Sequence, residues 1–271
     1  MPIIALTTDF GGVDYYVGAL KGVILSIAPK AAVVDVTHDV PPQDVVHGAF
    51  VLRQVWRWYP RGTIHVAVVD PGVGGDRRIL LAGYEGRYVI APDNGLITWL
   101  HRGMKSDGVR VVENARYFLP QVSATFHGRD IMAPVAAHLA NGVKAQSFGR
   151  ATDRVAVVPL PRRAERTAGG IVGVVVYVDR FGTLVSNITR ADVAAGAVRG
   201  RGWDVAVNGT DIGPLRDTFT DVRAGTPVAF IGSGDLLEIA VNHGSAIDRF
   251  GPAADVRVVL RPAGVEAARA P

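Results

Sequence analysis

The amino-acid sequence predicts an α/β N-terminal domain with a mostly parallel sheet, followed by a C-terminal all-β domain that forms a small antiparallel sheet or barrel. Over the first half of the 271 residues, short β-branched runs alternate with longer stretches of helical spacing, a pattern typical of parallel strands joined by helices. Beyond a polar, proline-containing segment, the strands follow one another without intervening helices. The length also exceeds the usual domain of about 100–200 residues, so two domains or one large domain are expected from length alone.

In the N-terminal half, the predicted strands are continuous apolar runs, typical of strands that are covered on both faces. The amphipathic stretches between them predict helices, and Pro41 and Pro42 favour the start of the second helix. The strands are predicted at 3–8, 31–37, 63–70, 79–84 and 87–92, and the helices at 15–27, 43–58 and 131–139.

The segment VPLPRRAERTAGG, residues 158–170, is polar and contains two prolines, which is typical of a linker. We therefore predict a first domain over residues 1–160, a linker over 161–169 and a second domain over 170–271. Asn208-Gly209 directly follows an apolar run and predicts a hairpin turn. Strands of the second domain are predicted at 171–182, 203–207, 227–232, 236–241 and 255–262.

The composition argues against several classes of protein. Apolar residues make up 48% of the chain and charged residues 20%, as in ordinary globular proteins. The 29 Lys and Arg exceed the 25 Asp and Glu, but the arginines are scattered, so no nucleic-acid partner is predicted. The chain has no cysteine, which excludes disulfides, thiolate metal sites and thiol nucleophiles. Its start lacks the pattern of a secretory leader, and no run reaches the roughly 18 apolar residues that span a bilayer, so we expect a cytoplasmic protein without a membrane segment.

The segment VVDPGVGGDRR, residues 68–78, is a predicted strand that runs into a glycine-rich turn, as in phosphate-binding loops. It lacks the last glycine of the dinucleotide fingerprint and the G-K-[ST] of a nucleotide P-loop. A strand is predicted after the turn, so no helix N-terminus would bind an anion there. The seven histidines are widely spaced without an HExxH motif, and no G-x-S-x-G occurs, so neither a metal site nor a serine nucleophile is predicted.

Polar residues at the carboxyl ends of the predicted strands are the remaining candidates. Asp9 ends the first strand, Asp70 ends the third, and TFHGRD, residues 125–130, precedes a helix. Ligands of open parallel sheets bind at that edge. A structural interpretation remains open for each one, since an aspartate before a helix is commonly an N-cap and Asp-Pro-Gly is commonly a turn.

Seven ordered segments between about residue 3 and residue 260 together carry a resemblance to a known family. In chain order they read TTDFGGVDYYVGALKG, HDVPPQDVVHGAFVL, VVDPGVGGDRR, APDNGLIT, TFHGRDIMAPVAAHLANG, VDRFGTLVSNI and GSGDLLEIAVNHGSA. They resemble the S-adenosylmethionine hydroxide adenosyltransferases, relatives of fluorinase and chlorinase. The resemblance implies that water or hydroxide displaces methionine at the 5' carbon of S-adenosyl-L-methionine, without a cofactor. It also implies a homotrimer with active sites between subunits.

By the same resemblance, the catalytic residues are Asp70, Arg77 and His127. Arg78 is not chosen, because the family places its arginine seven residues after the aspartate. The leaving group is a sulfonium that departs as a neutral thioether, so the enzyme must supply a positioned nucleophile rather than an acid. Asp70 and His127 are expected to hold the water and accept its proton, with Arg77 orienting Asp70; which of the two accepts the proton stays open.

Two positions bear on the choice between water and halide. A carboxylate at Asp70 repels an anion and accepts a hydrogen bond from water, whereas the halogenating relatives have a tyrosine at the matching position. Gly128 stands where the fluorinase has a serine, which removes a hydrogen-bond donor for fluoride. The resemblance therefore favours hydrolysis over a halogenase. A protein that binds S-adenosylmethionine or adenosine without turnover remains the alternative from another class.

The resemblance also implies substrate contacts. Asp9 matches the carboxylate that binds the ribose diol, and Glu238 is a candidate partner for the substrate ammonium. Thr183 replaces an asparagine of the family pattern, so no ligand role is assigned to it. Alternative structural roles remain open for some positions, namely helix start for Asp14 and core packing for the two phenylalanines. The full predicted set is Asp9, Asp14, Phe126, Gly128, Phe181, Asn187, Ser233, Glu238 and Val241.

Overall fold

The computed structural model describes residues 1–160, 163–196, 202–252 and 256–264. The chain divides into two compact units, residues 1–160 and residues 161–271. Within the range predicted as a linker, residues 161 and 162 lie outside the described part. Glu165–Thr167 forms a short strand, β7, which pairs antiparallel with β8, Gly170–Val178.

The N-terminal unit is built on a six-stranded sheet in the order β2-β1-β3-β5-β4-β6. Three neighbouring pairs are parallel, β1 with β2, β1 with β3, and β3 with β5, while β4 is antiparallel to both β5 and β6. This confirms the predicted α/β class with a mostly parallel sheet. The strands are β1 Ile3–Thr8, β2 Ala32–Thr37, β3 Ile64–Val68, β4 Ile79–Tyr84, β5 Arg87–Pro92 and β6 Ser106–Val111.

Helices cover the sheet on both faces, as the continuous apolar strands require. Side chains of β3 alternate between two buried clusters, with Val66 and Val68 in one and Ala67 in the other. The first cluster includes residues of α1 and α4, and the second includes residues of α2 and α3. The helices are α1 Tyr16–Ile27, α2 Val45–Trp56, α3 Thr98–Gly103 and α4 Ala133–Ala140.

Helix α1 starts one residue later than predicted, and α2 and α4 each start two residues later. Helix α2 begins after Asp44 rather than at 43, because the Asp44 carboxylate accepts a hydrogen bond from the backbone N–H of His47 at 2.9 Å and caps it. Before α4, residues Gly128–Met132 form a π-helical turn that begins directly after His127. In this turn the N–H of Ala133 donates to the carbonyl of Gly128, five residues back.

The C-terminal unit is an all-antiparallel sheet in the order β11-β10-β14-β8-β9-β13-β12. An isolated bridge joins Arg216, just after β11, to Phe230 in β12, so the sheet is nearly closed into a barrel and the predicted all-β class is confirmed. Asn208 and Gly209 both have positive φ, +48° and +79°, as the predicted hairpin turn requires. The remaining elements are β9 Leu184–Thr189, α5 Arg190–Ala195, β10 Trp203–Val207, β11 Thr210–Pro214, β12 Pro227–Ile231, β13 Leu236–Val241, α6 Ala246–Phe250 and β14 Arg257–Pro262.

Candidate active site

The glycine-rich turn after β3 carries Asp70 and packs against the segment that leads to His127. Within the turn, the N–H of Val73 donates to the carbonyl of Asp70 at 3.2 Å. Gly74 has a φ of +82°, and a Cβ added there would lie 2.3 Å from the carbonyl oxygen of Ala124. Only glycine meets both conditions without strain. Gly74 therefore allows the turn after β3 to lie close to the segment that leads to His127.

Asp70 and Arg77 form a bidentate ion pair across this turn. The Nε of Arg77 donates to Oδ1 of Asp70 at 2.9 Å, and its Nη2 donates to Oδ2 at 2.5 Å. The two side chains are only 5% and 10% exposed, respectively. Gly72 lies beneath the pair, since a Cβ there would lie 3.5 Å from Cδ of Arg77. The carboxylate is thus fixed in orientation by a planar, permanently charged partner.

His127 joins the same guanidinium. The Nη2 of Arg77 lies 2.9 Å from Nδ1 of His127. A guanidinium only donates hydrogen bonds, so Nδ1 accepts, and the neutral ring carries its proton on Nε2. Burial and then the neighbouring Arg77 lower the pKa of His127, while Asp70 and Asp130 oppose the shift. At neutral pH His127 is therefore an uncharged ring with one N–H donor.

The structure separates the two adjacent arginines. Arg78 binds Asp93 through Nε at 2.8 Å and Nη2 at 2.5 Å. Asp93 also accepts a hydrogen bond from the backbone N–H of Ala156 at 2.7 Å. Arg78 thus ties the end of the N-terminal unit to the sheet, whereas Arg77 faces the aspartate and the histidine.

Asp9 lies beside this group at the same edge of the sheet. Thr8 of β1 pairs with Val68 of β3, so Asp9 and Asp70 leave adjacent parallel strands close together. The Asp9 carboxylate accepts a hydrogen bond from the N–H of Gln43 at 2.8 Å. It therefore does not act as the N-cap of α1, at whose start no side-chain capping bond forms.

Aromatic rings connect the Asp9 loop to the His127 loop. The ring of Phe126 contacts those of Phe10 and Tyr16 edge-on, with centroids 5.7 and 5.3 Å apart. Phe126 is buried, so most of its surface packs in the core, which is the structural role that the sequence left open. Asp14 is exposed and outside the first turn of α1. Gly128 is buried, and a Cβ added there would lie 3.3 Å from Cγ1 of Val68.

Among the predicted substrate residues of the C-terminal unit, Glu238 is the one with a shifted pKa. Burial, and then the charge of Asp179, raise the pKa of its carboxyl group. Its Oε1 would lie 1.9 Å from a Cβ placed on Gly232, so this glycine leaves room for the side chain. The sequence did not single out Asp179, whose carboxylate accepts hydrogen bonds from the N–H groups of Phe181 and Thr183 at 2.9 and 2.8 Å.

The other predicted residues of this unit differ widely in exposure. Phe181 is 79% exposed at the β8–β9 turn, so the core role left open for it is wrong. Asn187 accepts a hydrogen bond from the N–H of Val174 at 2.8 Å. Ser233 is exposed next to β13, whereas Val241 is buried in that strand. Thr183, to which no ligand role was assigned, is buried.

The part of the chain that the structure describes contains no group of three His, Cys, Asp or Glu that could hold a metal ion. In the same part, no helix is both long and apolar enough to cross a membrane. What the N-terminal unit offers is an oriented carboxylate, a neutral imidazole and a buried guanidinium at the ligand-binding edge of an α/β sheet. Such a set can hold a water molecule and take its proton.

The fold is an α/β unit followed by an antiparallel β unit, and the site carries the groups that an enzyme needs to position and activate a water molecule. Two family models match the chain, the SAM hydroxide adenosyltransferase N-terminal domain over residues 4–149 and the C-terminal domain over residues 173–259. The chain belongs to the S-adenosylmethionine hydroxide adenosyltransferase family.

Named relatives and a solved structure agree with this assignment. The chain is 41% identical over 253 residues to an (R)-S-adenosyl-L-methionine hydrolase of Thermus thermophilus, covering 90% of this chain and 93% of the relative. It is 32% identical to a fluorinase of an Actinoplanes species, covering 89% and 91%. A crystal structure of an uncharacterized conserved protein from Thermotoga maritima superimposes with a TM-score of 0.87 at 31% identity, covering 95% and 99%.

Proposed function

We propose that this protein is an enzyme that hydrolyses S-adenosyl-L-methionine to adenosine and L-methionine. The observation that carries the proposal is the contact of one buried guanidinium, that of Arg77, with both Asp70 and His127. Relatives named as (R)-S-adenosyl-L-methionine hydrolases support the substrate and favour the (R) sulfonium epimer.

In the proposed reaction, a water oxygen attacks the 5' carbon of the substrate opposite the sulfonium. The new C–O bond forms as the C–S bond breaks, and methionine leaves as a neutral thioether with the electron pair of that bond. No acid is needed to protonate the leaving group, and the proposal includes no cofactor. Holding the water in line can lower the activation free energy by roughly 7–11 kcal/mol. This is a larger effect than that of a general base, which typically raises the rate by ~10²–10⁴-fold.

We assign the proton to Asp70 rather than to His127. Nδ1 of His127 already accepts a hydrogen bond from Arg77, and Nε2 carries the proton of the neutral ring. The ring therefore offers the water oxygen an N–H donor. Asp70 has further lone pairs on the oxygens that bind Arg77, so its carboxylate takes the proton as the C–O bond forms.

Substrate recognition is proposed for both units. Asp9 accepts hydrogen bonds from the ribose hydroxyls, and Glu238 pairs with the substrate ammonium, which would offset the unfavourable burial of its charge. Asp14, Phe126, Gly128, Phe181, Asn187, Ser233 and Val241 complete the proposed set. We further propose a homotrimer with active sites between subunits. Analytical ultracentrifugation would measure the mass of this assembly. The cytoplasmic location and the absence of a nucleic-acid partner stay predictions.

Halogenation is the competing activity, because fluorinases are among the relatives. The carboxylate of Asp70 argues against it, since a halide would have to lie beside a negative charge whose cationic partner, Arg77, is already engaged in a bidentate contact. A protein that only binds the substrate would not require the contact of Arg77 with both Asp70 and His127.

One assay separates these functions. The purified protein is incubated with each sulfonium epimer of S-adenosyl-L-methionine, with and without chloride or fluoride, and the products are separated by chromatography. We expect adenosine and methionine, and no halonucleoside, with the formation of adenosine lost in Asp70→Ala and His127→Ala. Halonucleoside formation, or tight binding of substrate without product, would overturn the proposal.

A further inference from the structure

A second polar group, centred on Asp130, lies immediately beyond the catalytic histidine in the chain. Asp130 is fully buried within the π-helical turn that follows His127. Its carboxylate binds Arg129, with Nε at 2.6 Å, and accepts from both the backbone N–H and the hydroxyl of Ser123 at 2.8 Å each. A buried charge with this many partners fixes the chain segments that supply them.

These bonds converge on the residue before His127. The hydroxyl of Ser123 donates to Asp130 and accepts from the N–H of Phe126 at 3.1 Å. The guanidinium of Arg129 lies 4.9 Å from the centre of the Phe126 ring while it pairs with Asp130. The N–H of Asp130 also donates to the carbonyl of Phe126 at 3.0 Å. Phe126 is therefore held through its backbone on both sides and through its ring.

The π-helical turn points to the same role. An extra residue per turn costs regular α-helical hydrogen bonding, and such turns occur frequently at functional sites. Here the turn begins at the position after His127 and places Asp130 under the loop of residues 119–126, whose Leu119 N–H donates to the Asp130 carbonyl at 2.9 Å. These contacts hold the backbone around His127, while its imidazole is left to contact Arg77.

We propose that Asp130 is a positioning residue that, through Ser123 and Phe126, holds His127 in register with Arg77 and Asp70. The inference rests on the proposed hydrolysis, because it concerns the water-binding histidine of that reaction. Phe126 is also in the proposed substrate set, but the network holds mainly the backbone that leads to His127, so loss of Asp130 should lower kcat by a larger factor than it raises KM. A displacement of about 1 Å in a catalytic group can cost about 10²-fold in rate.

The test compares four variants with the wild type. Asp130→Asn and Ser123→Ala break the network, Ser123→Thr keeps its hydroxyl, and Asp93→Asn is the matched control. Asp93, like Asp130, is a shielded carboxylate that binds one arginine and one loop N–H, but its partners are Arg78 and Ala156. We expect kcat to fall about 10–10²-fold in Asp130→Asn and less in Ser123→Ala, with KM within about threefold of the wild type. Ser123→Thr should keep the kcat of the wild type. Asp93→Asn should keep it too, but should lower thermal stability.

A readout independent of turnover distinguishes this inference from the hydrolase proposal. In ¹⁵N spectra of histidine-labelled protein, the His127 signals are assigned by their loss in His127→Ala. The wild type should show an unprotonated Nδ1 and a protonated Nε2, and Asp130→Asn should move both toward averaged values. If these signals stay unchanged, or if Asp93→Asn lowers kcat as much as Asp130→Asn, the positioning role is wrong. Should Asp130→Asn not fold, Ser123→Ala and Ser123→Thr decide by the same two measurements.

Discussion

Arg77 binds the Asp70 carboxylate with two nitrogens, Nε at 2.9 Å from Oδ1 and Nη2 at 2.5 Å from Oδ2. The same Nη2 lies 2.9 Å from Nδ1 of His127, so one rigid group sets the separation of the two side chains. A lysine carries the same charge but a single nitrogen, which cannot make the fork-shaped contact and reach the histidine as well. The planar guanidinium is therefore required for its geometry as well as for its charge.

Arg77→Lys should lower kcat about 10²-fold while the protein stays folded, because Asp70 keeps a cation but loses its fixed orientation. Adenosine release and thermal unfolding measure the two quantities. Arg78→Lys is the control, since Arg78 contacts Asp93 instead. Equal losses of activity in the two variants would contradict the assignment of Arg77.

The sequence predicted which polar residues lie at the carboxyl edge of the sheet, but it did not predict the side-chain contacts around them. Strand periodicity suffices to place Asp9 and Asp70 at the carboxyl ends of parallel strands, which lie at one edge of the sheet. That β1 and β3 are neighbours is known only from their pairing. The choice of Arg77 over Arg78 needed the family resemblance, since both follow the same turn. The π-helical turn and the buried Asp130 were missed because they depend on contacts with Ser123, which no periodicity encodes. The only signal was the aspartate in TFHGRD, three residues after the histidine.

His65 should make the stability of the N-terminal unit depend on pH. It is fully buried against Trp56, with ring centroids 4.7 Å apart. Burial, and then Arg87, lower the pKa of His65 to about 3. The folded state thus keeps this ring neutral, while the unfolded chain binds a proton below its usual pKa of about 6.5. The stability contributed by the neutral ring is complete above that pH and is lost as the pH falls toward 3.

The linkage predicts that His65 costs the wild type about 2 kcal/mol of unfolding free energy between pH 8 and pH 5. His65→Phe keeps an aromatic ring on Trp56 and removes the titration, so its loss over this range should be smaller by that amount. Urea unfolding at several pH values measures both curves, and their difference isolates His65 from the other histidines. Parallel curves would show that the ring does not titrate in this way.

Gly232 should govern the orientation of Glu238. A Cβ at this position would lie 1.9 Å from Oε1, the far end of a flexible side chain. Gly232→Ala is therefore expected to fold with Glu238 displaced, to raise KM about tenfold and to change kcat little, since the proposed contact is with the substrate ammonium. Glu238→Gln should raise KM similarly, and the double variant should add little to either change. A KM unchanged in both single variants would remove Glu238 from the proposed set.

Gly74 provides the sharpest test of why the turn after β3 is rich in glycine. Its φ of +82° is matched by the +86° of Gly62, but a Cβ on Gly62 would meet nothing within 4 Å, whereas one on Gly74 would lie 2.3 Å from the Ala124 carbonyl. Gly62→Ala should therefore cost only the strain of a left-handed alanine, about 1–2 kcal/mol of unfolding free energy, with kcat retained.

Gly74→Ala carries that same strain and also forces two backbone segments apart, one bearing Asp70 and the other leading to His127. Because a carbonyl oxygen cannot rotate away as a flexible side chain can, the hydrogen bond from Arg77 to His127 should lengthen. We expect a greater loss of stability than in Gly62→Ala, together with a fall in kcat of about 10²-fold. Denaturant unfolding and adenosine release measure the pair. Equal effects of the two alanines on kcat would mean that the close approach at Ala124 does not hold the active site together.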